Sequence, residues 1–398
     1  MNLTKFIFAK CKGCAKIVLV LFFVGFLALI YQISDQTRDR GTQSYYSSFD
    51  KSYSNGYTPN SRNPLASKPI VRKKMGTKLS DVLPNESTVE GWDYNTSRDT
   101  SLYIQPENIT TVLLPEKFCS SPHTLLIIIC SSPGNFAIRN VIRDTWASTS
   151  NNSNFSIQHY FLLGQVSNIT VQEQIEQEFL ERNDVIQEYF VDSYNNLTIK
   201  SLMMLKLVKS HCLDTVKYVM KTDDDVYVNI ALLTQYLRVN GTKNLLVGYL
   251  MRGATPVRDR KSKWNAPYYL YKGHKYPPYL SGTGYVMSID IVPKLYEASF
   301  HTSIFYLEDV YITGMLSQTI KLKPRDHMGF TYRKRDFSPC TYLTAITTHR
   351  LNETEIKDLH SLIHKTDFRK CKKKPTPKSL FTGKGIRAKK CNSFFNFC

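Results

Sequence analysis

The apolar positions fall into blocks of different period. Residues 17–31, IVLVLFFVGFLALIY, are continuously uncharged. Residues 35–118 follow, rich in Ser, Tyr, Asn, Thr and Lys, with little periodic pattern. That composition predicts an extended or weakly ordered stem. The pattern changes at Cys119. The run TLLIII at 124–129 predicts a strand buried on both faces. HYFLLG at 159–164 and VIQEYF at 185–190 predict further strands, and the polar stretch 171–181 between them a helix. Residues 196–212 read as a helix, with Leu197, Met204, Leu205 and Val208 at i, i+7, i+8 and i+11 on one face. KYVM at 217–220 is again strand-like. Strands alternating with helices predict an α/β fold with a largely parallel sheet, whose ligands sit beyond the carboxyl ends of the strands.

The first block sets the compartment. Lys5, Lys10, Lys12 and Lys16 precede it, and Gln32, Ile33 and Ser34 bring it near the roughly 20 residues of a membrane span. The expectation is an uncleaved signal anchor over 17–34, with residues 1–16 as a cytosolic tail and the bulk in the lumen. A cleaved signal peptide is the rival, but no small-x-small cleavage site follows Ile33. Asn-x-Ser/Thr sequons at Asn85, Asn95, Asn108, Asn151, Asn154, Asn168, Asn196, Asn240 and Asn352 suit a lumenal chain. Cys119, Cys130, Cys212, Cys340, Cys371, Cys391 and Cys398 follow the anchor, so disulfides with one thiol left over are expected. Zinc is the alternative for them, but the CxxC spacing occurs only at Cys11 and Cys14, where palmitoylation or no role is expected rather than metal. A net charge of +19 over 398 residues raises the question of nucleic acid. The basic residues are spread along the chain and no nucleic-acid motif accompanies them, so no nucleic-acid partner is expected.

Three adjacent carboxylates, Asp223, Asp224 and Asp225, stand where the KYVM strand ends. In an extended segment Asp223 and Asp225 share a face and Asp224 points the other way. Converging carboxylates repel unless a hard divalent cation joins them, and such an ion also bridges to phosphate oxygens. An acidic turn capping a helix from Asn229 is the plainer reading.

Companion segments carry a resemblance. IRNVIRDTW (138–146), FLLG (161–164), DSYNNLTIKS (192–201), KTDDDVYVN (221–229), YPPYLSGTGYVMS (276–288) and EDVYITG (308–314) occur in the order and spacing of the β-1,3-galactosyltransferase family. The resemblance covers about residues 119–365. It implies a Golgi type II membrane protein with a GT-A fold. Such a protein uses Mn²⁺ to move a sugar from a UDP-sugar to a glycan hydroxyl with inversion. By the same resemblance Asp309 is the base, with Glu308 as the fallback, and His349 completes the metal shell with Asp225. Asp223 is expected nearer the ribose or a metal-bound water. Arg139 and Arg143, near an expected helix N-terminus, suit a diphosphate; a salt bridge is the other use. Lys200 reaches the nucleotide or is solvated. Gly282 and Gly284 give a tight turn or a close approach to the donor. Trp264 stacks on a sugar or is a buried anchor.

Two departures bear on the donor. EDVYITG has one residue more before its glycine than the commoner EDVYVG, and Ala147 stands where glycine is usual. Galactose is the favoured donor sugar, with N-acetylglucosamine and N-acetylgalactosamine beside it. A catalytically silent lumenal chaperone or glycan-binding subunit is the reading of another class, opposed by the intact acidic and histidine set. Residues 366–398 read as a basic tail with no assigned role.

Overall fold

The computed structural model describes residues 88–371, apart from 149–150, 153–154 and 242. The expected anchor, most of the stem and the basic tail from 372 onward lie outside the described residues. Among the described residues no helix is long and apolar enough to cross a membrane.

The strands are β1 (Thr111–Leu113), β2 (His123–Cys130), β3 (Asn151–Asn152), β4 (Phe155–Gln165), β5 (Val185–Val191), β6 (Val216–Asp223), β7 (Val226–Val228), β8 (Leu246–Met251), β9 (Tyr279–Ser288), β10 (Arg325–Asp326) and β11 (Thr347–His349). Among the described residues nine of them form one mixed sheet in the order β1-β5-β4-β2-β6-β9-β8-β10, with β3 beside β4. Its centre, β5-β4-β2-β6, is parallel. From β6 onward it departs from the parallel expectation, because β9 runs antiparallel to both β6 and β8. β7 and β11 pair separately and antiparallel, with His349 opposite Val226.

Leu125 to Ile129 are each at most 1 % exposed, as a strand covered on both faces requires. The pleat divides them: Leu126 and Ile128 enter one apolar cluster, Leu125, Ile127 and Ile129 the other. The covering helices are α1 (Ser101–Ile104), α2 (Phe136–Asp144), α3 (Ile169–Arg182), α4 (Leu197–His211), α5 (Ile230–Val239), α6 (Val292–Ser299) and α7 (Glu353–Lys365). Asn229 caps α5 by accepting the Leu232 N–H, so the plainer capping use of this region is also present. α4 differs from the one-faced helix expected: Thr198 to Leu205 are all buried, because α1, α6 and the sheet enclose it.

Two boundaries move. Residues 88–118, expected in the stem, belong to the folded body: Trp92, Ile104 and Phe118 are buried, and β1 extends the sheet beside β5. These anchors are single residues without a period, which is why the pattern missed them. At the other end the fold continues to Cys371, paired with Cys340. A second disulfide joins Cys119 and Cys212, and Cys130 is free and buried. Gly282 and Gly284 lie inside β9, not in a turn, with Gly284 opposite Thr222.

The segment after Asp309, Val310–Leu316, is a π-helix continued by Ser317–Thr319. A π-helix holds more residues per turn than an α-helix. It therefore has room for the one extra residue of EDVYITG.

Candidate active site

β6 ends at Asp223 and the chain turns at Asp224 and Asp225 before β7. The expected alternation therefore stops at Asp223, yet the three carboxylates still separate. Asp223 accepts from Lys221 Nζ at 2.6 Å. Asp224 turns towards the β2–α2 loop, accepting from Ser131 Oγ at 2.7 Å and Asn135 Nδ2 at 2.8 Å. Burial pushes the Asp224 carboxyl above its usual range against those two hydrogen bonds. Asp225 Oδ2 faces His349 Nε2 at 3.2 Å, across the β7–β11 pair.

That last pair has a defined chemistry. His349 Nδ1 lies 2.8 Å from the Tyr332 carbonyl oxygen, which can only accept, so Nδ1 carries a proton. In the neutral ring the Nε2 lone pair then points at a carboxylate oxygen. Two acceptors at that distance need a proton or a cation between them. Burial opposes the imidazolium, but the Asp225 carboxylate outweighs it and raises the His349 pKa. The nitrogen–carboxylate donor set fits a divalent cation such as Mn²⁺. Among the described residues no group of three or more His, Cys, Asp or Glu side chains could hold a metal, so these two would be the protein's direct contribution.

Lys221 organises the other half. It is 1 % exposed and donates to Asp223 and to the Gly282 carbonyl at 2.8 Å, with Glu308 Oε2 at 3.6 Å. Burial works against its charge, and Asp223 and Glu308 override it, lifting its pKa well above the ordinary value. Glu308 is fully engaged: Oε1 accepts from Tyr285 Oη at 2.7 Å and Ser201 Oγ at 2.9 Å. Asp309 is freer. It is only partly buried by surface area, and its two oxygens accept from the Val310 and Gly282 N–H groups at 2.8 and 3.2 Å. Its surroundings and then the Glu308 charge push its pKa up to about 7. A side chain at Gly282 would meet Glu308 Oε2 at 3.1 Å and Asp309 Cβ at 3.3 Å, so this glycine is needed for close approach. At Gly284 the nearest atom, Met220 Cε, would be 3.4 Å away, an ordinary contact.

Arg139, Arg143 and Lys200 are not free groups facing a ligand. Arg139 is fully buried and divides its donors among Glu178, Ser131 Oγ and the Ser132 and Pro133 carbonyls. Lys200 pairs with Asp192 at 2.7 Å and donates to the Ser131 carbonyl. A buried charge must be paired, and here the partners lie within the protein. Arg139, Lys200 and Asp224 thus converge on Ser131 and hold the β2–α2 loop. Arg143 comes late in α2 and bonds Asp184, just before β5 begins, and Glu178. That is away from the carboxyl ends of the parallel strands.

Trp264 is 46 % exposed, so it is no buried anchor. Its side chain hydrogen-bonds Tyr194, and Lys263 lies about 5 Å above both rings. The Tyr194 hydroxyl interacts electrostatically with Asp309, Asp223 and Lys221, which places this aromatic pair beside the acidic groups. Tyr194, Lys221, Tyr285 and Ser201 were not singled out from the sequence. Lys221 was the findable one, since it lies two residues before Asp223 on a strand and shares its face.

The Galactosyltransferase family model matches residues 137–328. Human beta-1,3-galactosyltransferase 1 is 38 % identical over 235 residues, 58 % of this chain and 71 % of that protein. Human beta-1,3-galactosyltransferase 2 is 35 % identical over 250 residues, 61 % of this chain and 59 % of that protein. Among solved structures, the WbbM bifunctional glycosyltransferase overlaps 64 % of this chain and 52 % of its own at 13 % identity, with a TM-score of 0.34, too low to bear on fold or activity. On the extent and identity of the match to the first relative, the chain belongs to the β-1,3-galactosyltransferase family.

Proposed function

We propose that this protein transfers galactose from UDP-galactose to a glycan hydroxyl, forming a β-1,3 linkage with inversion. The proposal includes a GT-A fold and a type II orientation in the Golgi membrane, with the catalytic domain lumenal. Family membership supports the reaction class, and the helix-flanked mixed sheet is compatible with the fold. The observation that carries the reading is Asp309, a partly open carboxylate with a pKa near 7 that feels the charge of Lys221, the lysine that also holds Asp223.

In this reading Asp309 takes the proton of the acceptor hydroxyl. The acceptor oxygen forms its bond to the anomeric carbon from the face opposite UDP. The anomeric carbon–phosphate oxygen bond breaks, and UDP leaves with the electron pair. A base with a pKa near the working pH suits this step. Asp225 and His349 would hold Mn²⁺, with Asp223 nearer the ribose or a metal-bound water. When bound, the ion offsets charge on the departing diphosphate. Arg139, Lys200 and Asp224 act indirectly, by fixing the β2–α2 loop. Gly282 keeps the base accessible, and Trp264 with Tyr194 offers an aromatic face to the acceptor sugar.

The test is a donor screen on the full-length protein with Mn²⁺ and radiolabelled UDP-sugars, the product linkage and anomeric configuration being read by NMR. Galactose transfer giving a β-1,3 bond is expected. Transfer from UDP-N-acetylglucosamine or UDP-N-acetylgalactosamine alone would move the donor assignment. Mn²⁺-dependent UDP binding without turnover of any donor would favour the silent, glycan-binding reading.

A further inference from the structure

α7 carries two histidines one turn apart. The rings of His360 and His364 lie 4.1 Å from each other, centroid to centroid. Residues at i and i+4 share one helix face, the spacing by which a helical histidine pair grips a metal. Each ring already spends its Nδ1. His364 Nδ1 lies 2.9 Å from the His360 carbonyl oxygen, which only accepts, so that nitrogen is protonated and Nε2 holds the lone pair. His360 Nδ1 lies 3.1 Å from the Tyr227 hydroxyl, which can accept in the same way. Metal-binding imidazoles characteristically donate their second nitrogen to such a partner, which fixes ring orientation and tautomer. Here both rings have such a partner.

We propose that His360 and His364 form a two-histidine site for a borderline divalent cation, zinc, with both Nε2 atoms as ligands. The site is distinct from Asp225 and His349. Imidazole donors without a carboxylate suit zinc better than manganese. Ile356 and Leu359 anchor α7 in the core, so the pair stands on a fixed element. Among the described residues no third ligand of the usual types joins them, which leaves the remaining tetrahedral positions to water. Because Tyr227 belongs to β7, a bound ion would fasten α7 to the strand that follows Asp225.

Calorimetric titration of zinc chloride into metal-free full-length protein at pH 7.5 tests this. Thermal melting with and without zinc supplies a second readout. One equivalent bound by the wild type should vanish in both His360→Gln and His364→Gln and persist in Asp225→Asn. Tyr227→Phe keeps the ring but removes the acceptor, and should weaken this equivalent roughly tenfold or more. Zinc should raise the melting temperature of the wild type and of Asp225→Asn, but of neither histidine variant. His364 is exposed, so its variant decides the matter if His360→Gln fails to fold. Unchanged stoichiometry and affinity in His364→Gln would overturn the site, as would loss of the equivalent in Asp225→Asn alone.

Discussion

Glu308 and Asp309 are neighbours in sequence but differ in what remains available to a ligand. Glu308 is committed to Tyr285, Ser201 and Lys221, whereas Asp309 is held by two backbone N–H groups and stays partly open. Asp309→Asn should therefore lower turnover by about 10²-fold or more and leave Mn²⁺-dependent UDP binding intact, as assayed by steady-state kinetics and calorimetry. Activity of the wild type should rise with pH through about 7, as Asp309 loses its proton, and the residual activity of the variant should lack that rise. Stability runs the opposite way. The folded chain retains the Asp309 proton up to about 7 while the unfolded chain releases it near the ordinary value of 3.8, so stability falls as pH rises across that window. The melting-temperature advantage of Asp309→Asn over wild type should accordingly be larger at pH 8 than at pH 5. Gly282→Ala should cost about tenfold or more in turnover by displacing the base, and Gly284→Ala far less, since their added atoms meet neighbours at 3.1 and 3.4 Å.

At the scale of elements, the π-helix and β9 meet at another glycine. A side chain on Gly314 would stand 3.0 Å from Tyr279 Cβ and 3.3 Å from Pro277 Cγ. Gly314→Ala should destabilise by about 1–3 kcal/mol, seen in denaturant unfolding, and should slow turnover because Asp309 heads the same helix. The elements were legible where burial imposes a pattern. TLLIII could be read as β2 because a doubly covered strand must be apolar throughout, and the run of carboxylates marked the end of β6. β9 was not legible as a strand, since its glycines are signals for a turn until the packed Glu308 and Asp309 are known. The same limit applied to Arg139 and Lys200. Their charge is visible in sequence, but Glu178 and Asp192, which pair with them, lie at other places in the chain. The pairing of Asp225 with His349 came from family resemblance, and what the structure adds is the strand pair that brings them face to face.

At the scale of the whole molecule, the two disulfides among the described residues enclose different parts of the site. The Cys119–Cys212 bridge spans 93 residues and contains β2 through α4, including the Ser131 loop. Cys340–Cys371 spans 31 residues and contains β11 and α7, hence His349, but not Asp225. In the chain-entropy account a closed loop of that shorter length stabilises by about 3.7 kcal/mol. Paired Cys340→Ser and Cys371→Ser changes should lower the melting temperature and weaken Mn²⁺-dependent UDP binding, measured by calorimetry. The Asp223–Lys221–Glu308 cluster should keep its geometry. The consequence reaches beyond stability. One ligand of the proposed metal pair is strapped in place by an oxidised bond, and the other is not. A chain folded in a reducing compartment would retain its carboxylates yet hold the imidazole on a slack tether. Catalytic competence would then record where the chain had matured, with the bridge acting as a certificate of passage through an oxidising lumen.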